Sequence, residues 1–235
     1  MKILQGQGVS KGVEHGPIYF CRRSQTLIQP DKADDPRFQG ERLDRAMEQT
    51  AQQLGQMAEL ARAQAGDSAA QLFETHAMFL EDEDYTGAME ELLAEGYCAE
   101  YAVDQAGEQF SAMLAAMDDP YMQARASDVR AISDRMLRIL TGRGTVPPVS
   151  FSPSILVSTE FAPSQIITLD RSCILGFIAM RGSVQSHAAA LSRALSIPAL
   201  VKLDLSASLE GHTALLDGGA QKLYVDPTPD ILSRL

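Results

Sequence analysis

From Asp34 to Gly142 the apolar residues recur at helical spacing, and on either side of that stretch they do not. Leu43, Met47, Thr50, Leu54, Met57 and Ala61 follow one another in alternating steps of four and three, which predicts a long amphipathic helix packed on a neighbour. After Gly66, the residues Leu72, Phe73, His76, Phe79 and Leu80 share one helical face. Tyr85, Met89 and Leu92–Leu93 continue past the acidic "EDED" as far as Gly96. Tyr101, Ala106, Phe110, Met113, Leu114 and Met117 predict a further helix. In "DDPY" the chain stops and restarts, because Asp119 can cap a helix and Pro120 suits its first position. Met122, Val129, Ile132, Met136 and Ile139 then lead down to Gly142, a natural C-terminal stop. Four or more helices with short connections predict a bundle.

The flanks read differently. In roughly Met1–Arg23, "VEHGPIYF" is bounded by glycines and is strand-like, and "GQGVSKG" before it is rich in turn residues. Gly6, Gly8 and Gly12 are spaced loosely like a dinucleotide loop, but no strong helix follows, so that reading is set aside. Beyond the proline-rich joint "TVPPVSFSP" come short apolar runs: "SILVS", "GFIAM", "PALVK", "TALLD" and "KLYVD". "LDGGAQKLYV" reads as a hairpin. The opening strand has too little surface to fold alone and is expected in the sheet of this last block. The organisation predicted is a discontinuous α/β domain, residues 1–33 and 143–235, with a helical domain, 34–142, inserted in it.

Composition narrows the function. The chain has 235 residues, room for one large domain or two small ones. Its 45% hydrophobic and 22% charged content fits a soluble globular protein. A net charge of −11 argues against nucleic acid and suits a basic protein partner. No apolar run reaches the roughly 18–20 residues of a membrane span. The start lacks the apolar block of a signal peptide. Three cysteines, Cys21, Cys98 and Cys173, odd in number and far apart, suggest a reducing cytoplasm and no disulfide frame or zinc site.

One stretch carries chemistry. In "GSVQSHAAALSRALSIPAL", Gly182–Leu200, Ser186 is a good N-cap, which puts His187 at the first helical position. Pro198 forces an end near Ser196. A helix N-terminus repels an added proton and so favours the neutral, nucleophilic imidazole. It also offers backbone N–H groups and partial positive charge to an anion. A phosphoryl group on the ring would meet both. Gly182 permits a tight turn before the helix. The plain alternative is a polar residue in a first turn. Competing chemistry is weak. No serine–histidine–acid spacing is suggestive, and His15, His76 and His212 form no metal-ligand pattern with the cysteines.

These motifs, taken together and in order, resemble the N-terminal half of Enzyme I, the phosphoenolpyruvate–protein phosphotransferase of the bacterial sugar phosphotransferase system. The resemblance is carried by "GQGVSKGVEHGPIYF", "LFETHAMFLEDEDY", "DDPYMQARASDVRAISDRMLRIL", "SHAAALSRALSIPALV" and "LYVDPT", nearly the whole chain. It implies a swivelling phosphohistidine α/β domain with an inserted helical-bundle domain. It implies that His187 carries the phosphoryl group, supported by Gly182, Ser186 and Arg193. The group would come from phosphoenolpyruvate on a C-terminal barrel and pass to the histidine-containing phosphocarrier HPr. This chain stops at Leu235, before any barrel, so the fragment is expected to hold no cofactor and no metal, with Mg²⁺ belonging to the missing domain. A monomer is expected for the fragment and a homodimer for its parent, in the cytoplasm. By position, the carrier-docking surface would involve Asp67, His76, Met78, Phe79, Asp82, Tyr85, Leu114, Tyr121 and Arg125. The residue types also allow Phe79 and Leu114 as bundle core and Asp82 as a solvated charge.

The sequence departs from the family at the site. Where the family reads Gly-Gly-Arg-Thr-Ser-His, this chain has Gly182-Ser183-Val184-Gln185-Ser186-His187. Ala188-Ala189 replace Thr-Ser, and Ile166 stands where a threonine within reach of the histidine is usual. Losing a cation weakens the electrostatic stabilisation on which phosphoryl transfer depends, leaving rate and donor open. Two other readings stay in view. One is the phosphohistidine domain of a pyruvate phosphate dikinase-like enzyme. The other is a non-catalytic paralogue that only binds a carrier or regulator.

Overall fold

The computed structural model describes residues 1–21, 28–143 and 152–233. The chain divides into two compact units, Met1–Ser24 with Pro148–Leu235, and Gln25–Pro147.

The second unit is a five-helix bundle: α1 (Pro36–Ala65), α2 (Asp67–Phe79), α3 (Glu83–Ala94), α4 (Ala99–Ala115) and α5 (Pro120–Leu140). Several boundaries have a local cause. Asp35 accepts from Phe38 N to open α1, with Pro36 at its first position. Gly66 ends α1 at φ 86°, and its own N–H caps the Arg62 carbonyl. Asp82 opens α3 by accepting from the amides of Asp84 and Tyr85. The Asp119 carbonyl receives Gln123 N at 2.9 Å, the first bond of α5. The predicted seam of α1 is the buried one: Leu43, Thr50, Leu54, Met57 and Ala61 face inward, against α2 and α5. Arg62 joins Glu59, Asp67 and Glu74, tying the end of α1 to α2.

The first unit is a mixed sheet of eight strands: β1 (Lys2–Gln5), β2 (Gln7–Ser10), β3 (Val13–Phe20), β4 (Ser154–Ser158), β5 (Ile174–Ala179), β6 (Ala199–Val201), β7 (Thr213–Asp217) and β8 (Lys222–Val225), in the order β1-β8-β7-β3-β4-β5-β6-β2. β3 lies mid-sheet. Its first five residues pair antiparallel with β7, from Val13↔Asp217 to Pro17↔Thr213. Its last three pair parallel with β4, from Ile18↔Ile155 to Phe20↔Val157. β4, β5 and β6 run parallel to one another, and β7 and β8 form the expected hairpin. β4 is buried along its whole length, as parallel strands covered on both faces are. Ile18, Ile155, Val157, Ile178 and Leu216 belong to the core on one face. Phe161, Ile166 and Leu191 are also buried, on or beside the short α6 (Pro163–Thr168) and α7 (His187–Ala194), and these two helices pack together. A last helix, α8, spans Pro229–Leu232. Cys21, Cys98 and Cys173 are free and half-buried. Among the described residues no helix is long and apolar enough to cross a membrane.

Candidate functional site

β5 delivers the chain to Met180 and Arg181, whose amides still bond to Ser158 and Thr159 carbonyls of the neighbouring strand end. Gly182 then takes φ 105°, a conformation that L side chains rarely adopt, and the chain turns. Ser186 N meets the Ser183 carbonyl at 3.1 Å to close that turn, and Gln185 N meets Ser183 Oγ at 3.1 Å. The next residue is His187, the first of α7, where the sequence places it.

Ser186 caps the helix through both its oxygens. Its Oγ accepts from Ala189 N at 3.2 Å and its carbonyl from Ala190 N at 2.9 Å. Neither bond uses the Ala188 N–H. Ser192 Oγ donates to the Ala188 carbonyl at 3.0 Å. The helix ends at Ala194, two residues before the expected stop. Ser196 takes φ 53°, and the amides of Ser196 and Ile197 return to the carbonyls of Arg193 and Ser192, a left-handed C-terminal cap. Arg193 reaches back along α7, and its Nη1 donates to the Val184 carbonyl at 2.9 Å. Sequence reading gives Arg193 a supporting role but not this partner, because the bond spans nine residues and depends on how the turn folds.

Beside the start of α7 lies an open cleft lined in part by Ile166, Phe177, Arg181, Gly182, Ser186 and Ala188. Ile166 is 2% exposed, so the position where the family usually carries a hydroxyl presents a packed aliphatic chain.

The proposed docking residues do not all lie on a surface. Met78 is 69% exposed at the end of α2, and Asp82, beside it, caps α3 and is exposed. Phe79 is half-buried, its ring 5.0 Å from Tyr85 and 6.5 Å from Phe110. Asp67 is exposed and paired with Arg62 at 3.2 Å. It sits at the other end of α2, about 16 Å from Met78 at the rise of a helix. Arg125 is half-buried. Two residues need correction as contact residues. Tyr85 has no exposed surface and sits inside the bundle, its hydroxyl 2.8 Å from Ser133 Oγ. Leu114 is 5% exposed. His76 Nε2 lies 3.4 Å from Asp128 Oδ1 of α5, within the helical unit. The apolar face of each helix that the periodicity defines is the face the bundle uses up. The side chain of Tyr121 lies outside the described residues. Met113, which the pattern assigns to the buried face of α4, is 47% exposed.

Comparison with known proteins finds two family matches along the chain. The family described as PEP-utilising enzyme, N-terminal, matches residues 5–125, and PEP-utilising enzyme, mobile domain, matches 151–221. A multiphosphoryl transfer protein of Xanthomonas campestris pv. campestris is 34% identical over 237 residues, covering 96% of this chain and 27% of that protein. A phosphoenolpyruvate-protein phosphotransferase of Priestia megaterium is 28% identical over 233 residues, covering 97% of this chain and 41% of its own. The chain thus spans less than half the length of these relatives. Among solved structures, the N-terminal domain of Enzyme 1 – Nitrogen matches with a TM-score of 0.65 and 26% identity, covering 98% of this chain and 97% of that one. A solution structure of Enzyme I shares the fold at a TM-score of 0.73 and 24% identity, covering 98% and 96%. With both family signatures in their order and the fold to match, the chain belongs to the phosphoenolpyruvate-utilising enzymes and corresponds to the N-terminal half of Enzyme I.

Proposed function

We propose that this chain is a phosphoryl-transfer module that carries the group on His187 and exchanges it with the phosphocarrier HPr. The observation that supports it most is the setting of His187, at the first position of a helix whose N-terminus is capped by Ser186 and whose approach is turned by Gly182. A doubly charged phosphoryl group gains there from the helix dipole and from first-turn amides. In the transfer, the lone pair of one His187 ring nitrogen attacks the phosphorus held by the carrier's histidine. A new N–P bond forms as the carrier's N–P bond breaks, and the electron pair of that bond returns to the carrier's ring. The proton on the other nitrogen of each ring stays in place, so the same step can run in reverse.

Phosphoenolpyruvate is then the ultimate donor, on a barrel domain outside these residues, and Mg²⁺ belongs with that domain. A cytoplasmic location follows from the same reading. The helical unit serves as the docking module. Exposed Met78 among the acidic residues Glu81, Asp82 and Glu83 suits a basic partner with an apolar patch. The test is to mix the chain with phosphorylated HPr and follow its intact mass. An acid-labile gain of one phosphoryl group, wholly absent in His187→Ala, is the expected result. No gain in the unsubstituted chain, with HPr shown active on a known acceptor, would overturn the reading.

A further inference from the structure

The three serines that flank His187 in the sequence each engage backbone. Ser183 Oγ accepts from Gln185 N, Ser186 Oγ accepts from Ala189 N, and Ser192 Oγ donates to the Ala188 carbonyl. Ile166, Ala188 and Ala189 offer no hydroxyl at all. The chain enters α7 through the turn from Gly182 to Ser186. Gly182 begins the turn at φ 105° and the Ser183–Ser186 bond closes it. Val184 lies at its centre, and the Val184 carbonyl receives Arg193 Nη1 at 2.9 Å. Arg193 is six residues beyond His187, about 9 Å along the axis. Helical side chains lean toward the N-terminus, so a long one can span that distance. A guanidinium on a carbonyl is a charge-assisted bond, stronger than the neutral bonds around it. Among the described residues no carboxylate forms an ion pair with Arg193.

We infer that Arg193 is a positioning residue for His187: it fixes the turn at Val184, and with it the entry of the chain into α7, without itself touching the phosphoryl group. This rests on His187 being the phosphorylated residue. Transfer between two rings needs the attacking nitrogen placed in line with the departing one, and a displacement of about 1 Å can cost roughly a hundredfold in rate. Loosening the turn should therefore slow the chemical step while leaving carrier affinity alone.

The experiment compares Arg193→Ala and Arg193→Lys with the unsubstituted chain, after far-UV circular dichroism confirms folding. Three quantities are read: kcat and KM for phosphoryl uptake from phosphorylated HPr, the ³¹P resonance of the phosphorylated chain, and amide hydrogen exchange at Gln185 and Ser186. For Arg193→Ala we expect kcat to fall about 10- to 100-fold with KM unchanged. The two amides should exchange roughly tenfold faster, and the ³¹P resonance should not move. Lysine, which can donate to one carbonyl, should restore most of kcat. A shifted ³¹P resonance with undisturbed amides and no rescue by lysine would overturn the inference and make Arg193 a ligand of the phosphoryl group. Unchanged kcat would overturn it too. If the unsubstituted chain takes up no phosphoryl group, the parent reading fails visibly. Amide exchange then still decides whether Arg193 holds the turn, and no acceleration in Arg193→Ala overturns that.

Discussion

Tyr85 is wholly buried, and its hydroxyl sits 2.8 Å from Ser133 Oγ, which is 2.9 Å from the Val129 carbonyl. Burial pushes the phenol from its ordinary 10 up to about 12, with the Ser133 bond and the Arg130 charge pulling weakly the other way. The fold prefers the neutral ring. That preference is whole below pH 10, where folded and unfolded chains both keep the proton. It declines once the unfolded chain ionises above 10 and is lost as the folded phenol ionises near 12. A shift of about two units corresponds to roughly 2–3 kcal/mol. Tyr85→Phe should cost about 0.5–1.5 kcal/mol at pH 7 through the lost bond. It should then close that gap, and even reverse it, between pH 10 and 12. Urea titrations of both chains across this range provide the check, and parallel curves would show that Tyr85 does not titrate as its burial demands. Arg135 leans the opposite way: burial, then the Arg138 charge, lowers it, a direction that does not add to the alkaline loss. The same residue explains a misreading. The resemblance puts Tyr85 by position on the docking surface, yet its i, i+4 relation to Met89 puts it inside, where Met89 is also fully buried.

Between elements, α4 packs tightly on α5 at Gly107. A Cβ there would stand 2.2 Å from Ser133 Oγ and 2.7 Å from Ser133 Cβ, so Gly107→Ala must part the two helices or break the bonds Ser133 makes. The expected loss is about 1–3 kcal/mol, against a gain of up to about 1 kcal/mol in helix propensity. Gly55, inside α1, has nothing within 4 Å of the position its Cβ would take. Gly55→Ala should therefore stabilise by about 0.5–1 kcal/mol. Denaturant midpoints of opposite sign for the same substitution would confirm that space, not helicity, decides, and two shifts of the same sign would refute it. Sequence and structure part at the same kind of place. Helix limits were legible where glycine or a cap marks them: Gly66, Gly96 and Gly142 all take positive φ, and Ser186 caps α7. Six strands, β3 to β8, were legible from their apolar runs, and the place of His187 from its cap, whereas β1 was not seen and β2 lies in a stretch that reads as turn-rich. The packing of Gly107 on Ser133 was not, nor the bond from Arg193 to Val184. Neither leaves any periodicity, since each depends on which residues of two segments meet. Met113 was misjudged for the same reason: period gives a face, but only the neighbour shows how far along it burial extends.

At the scale of the whole molecule, the two units differ in what they need from the chain. The helical unit is continuous, from Gln25 to Pro147, whereas the sheet unit draws on both ends. The link from β3 to β4 explains how this is tolerated. The two strands are parallel, so the chain must leave the sheet and return to its other end in any case, and a crossover is where an insertion disturbs no ladder. The dependence on the first 21 residues is severe, because β3 is central. Removing it takes away five pairs with β7 and three with β4, together with Ile18, which is 1% exposed in the core. β1 and β2 go with it, opening β8 and β6. Ile18 alone contributes about 1.5–3 kcal/mol by burial, and a domain is stable by only about 5–15 kcal/mol in all. A chain beginning at residue 28 should therefore keep the bundle folded and lose the sheet unit entirely, His187 included. Amide exchange separates the two outcomes. Protection should persist in α1, α4 and α5 and vanish from β4 and β5. Adding a peptide of residues 1–21 should restore protection in trans, since every strand it supplies pairs with a strand the shortened chain still carries. If β4 and β5 stay protected without it, β3 is not the strand on which the sheet depends.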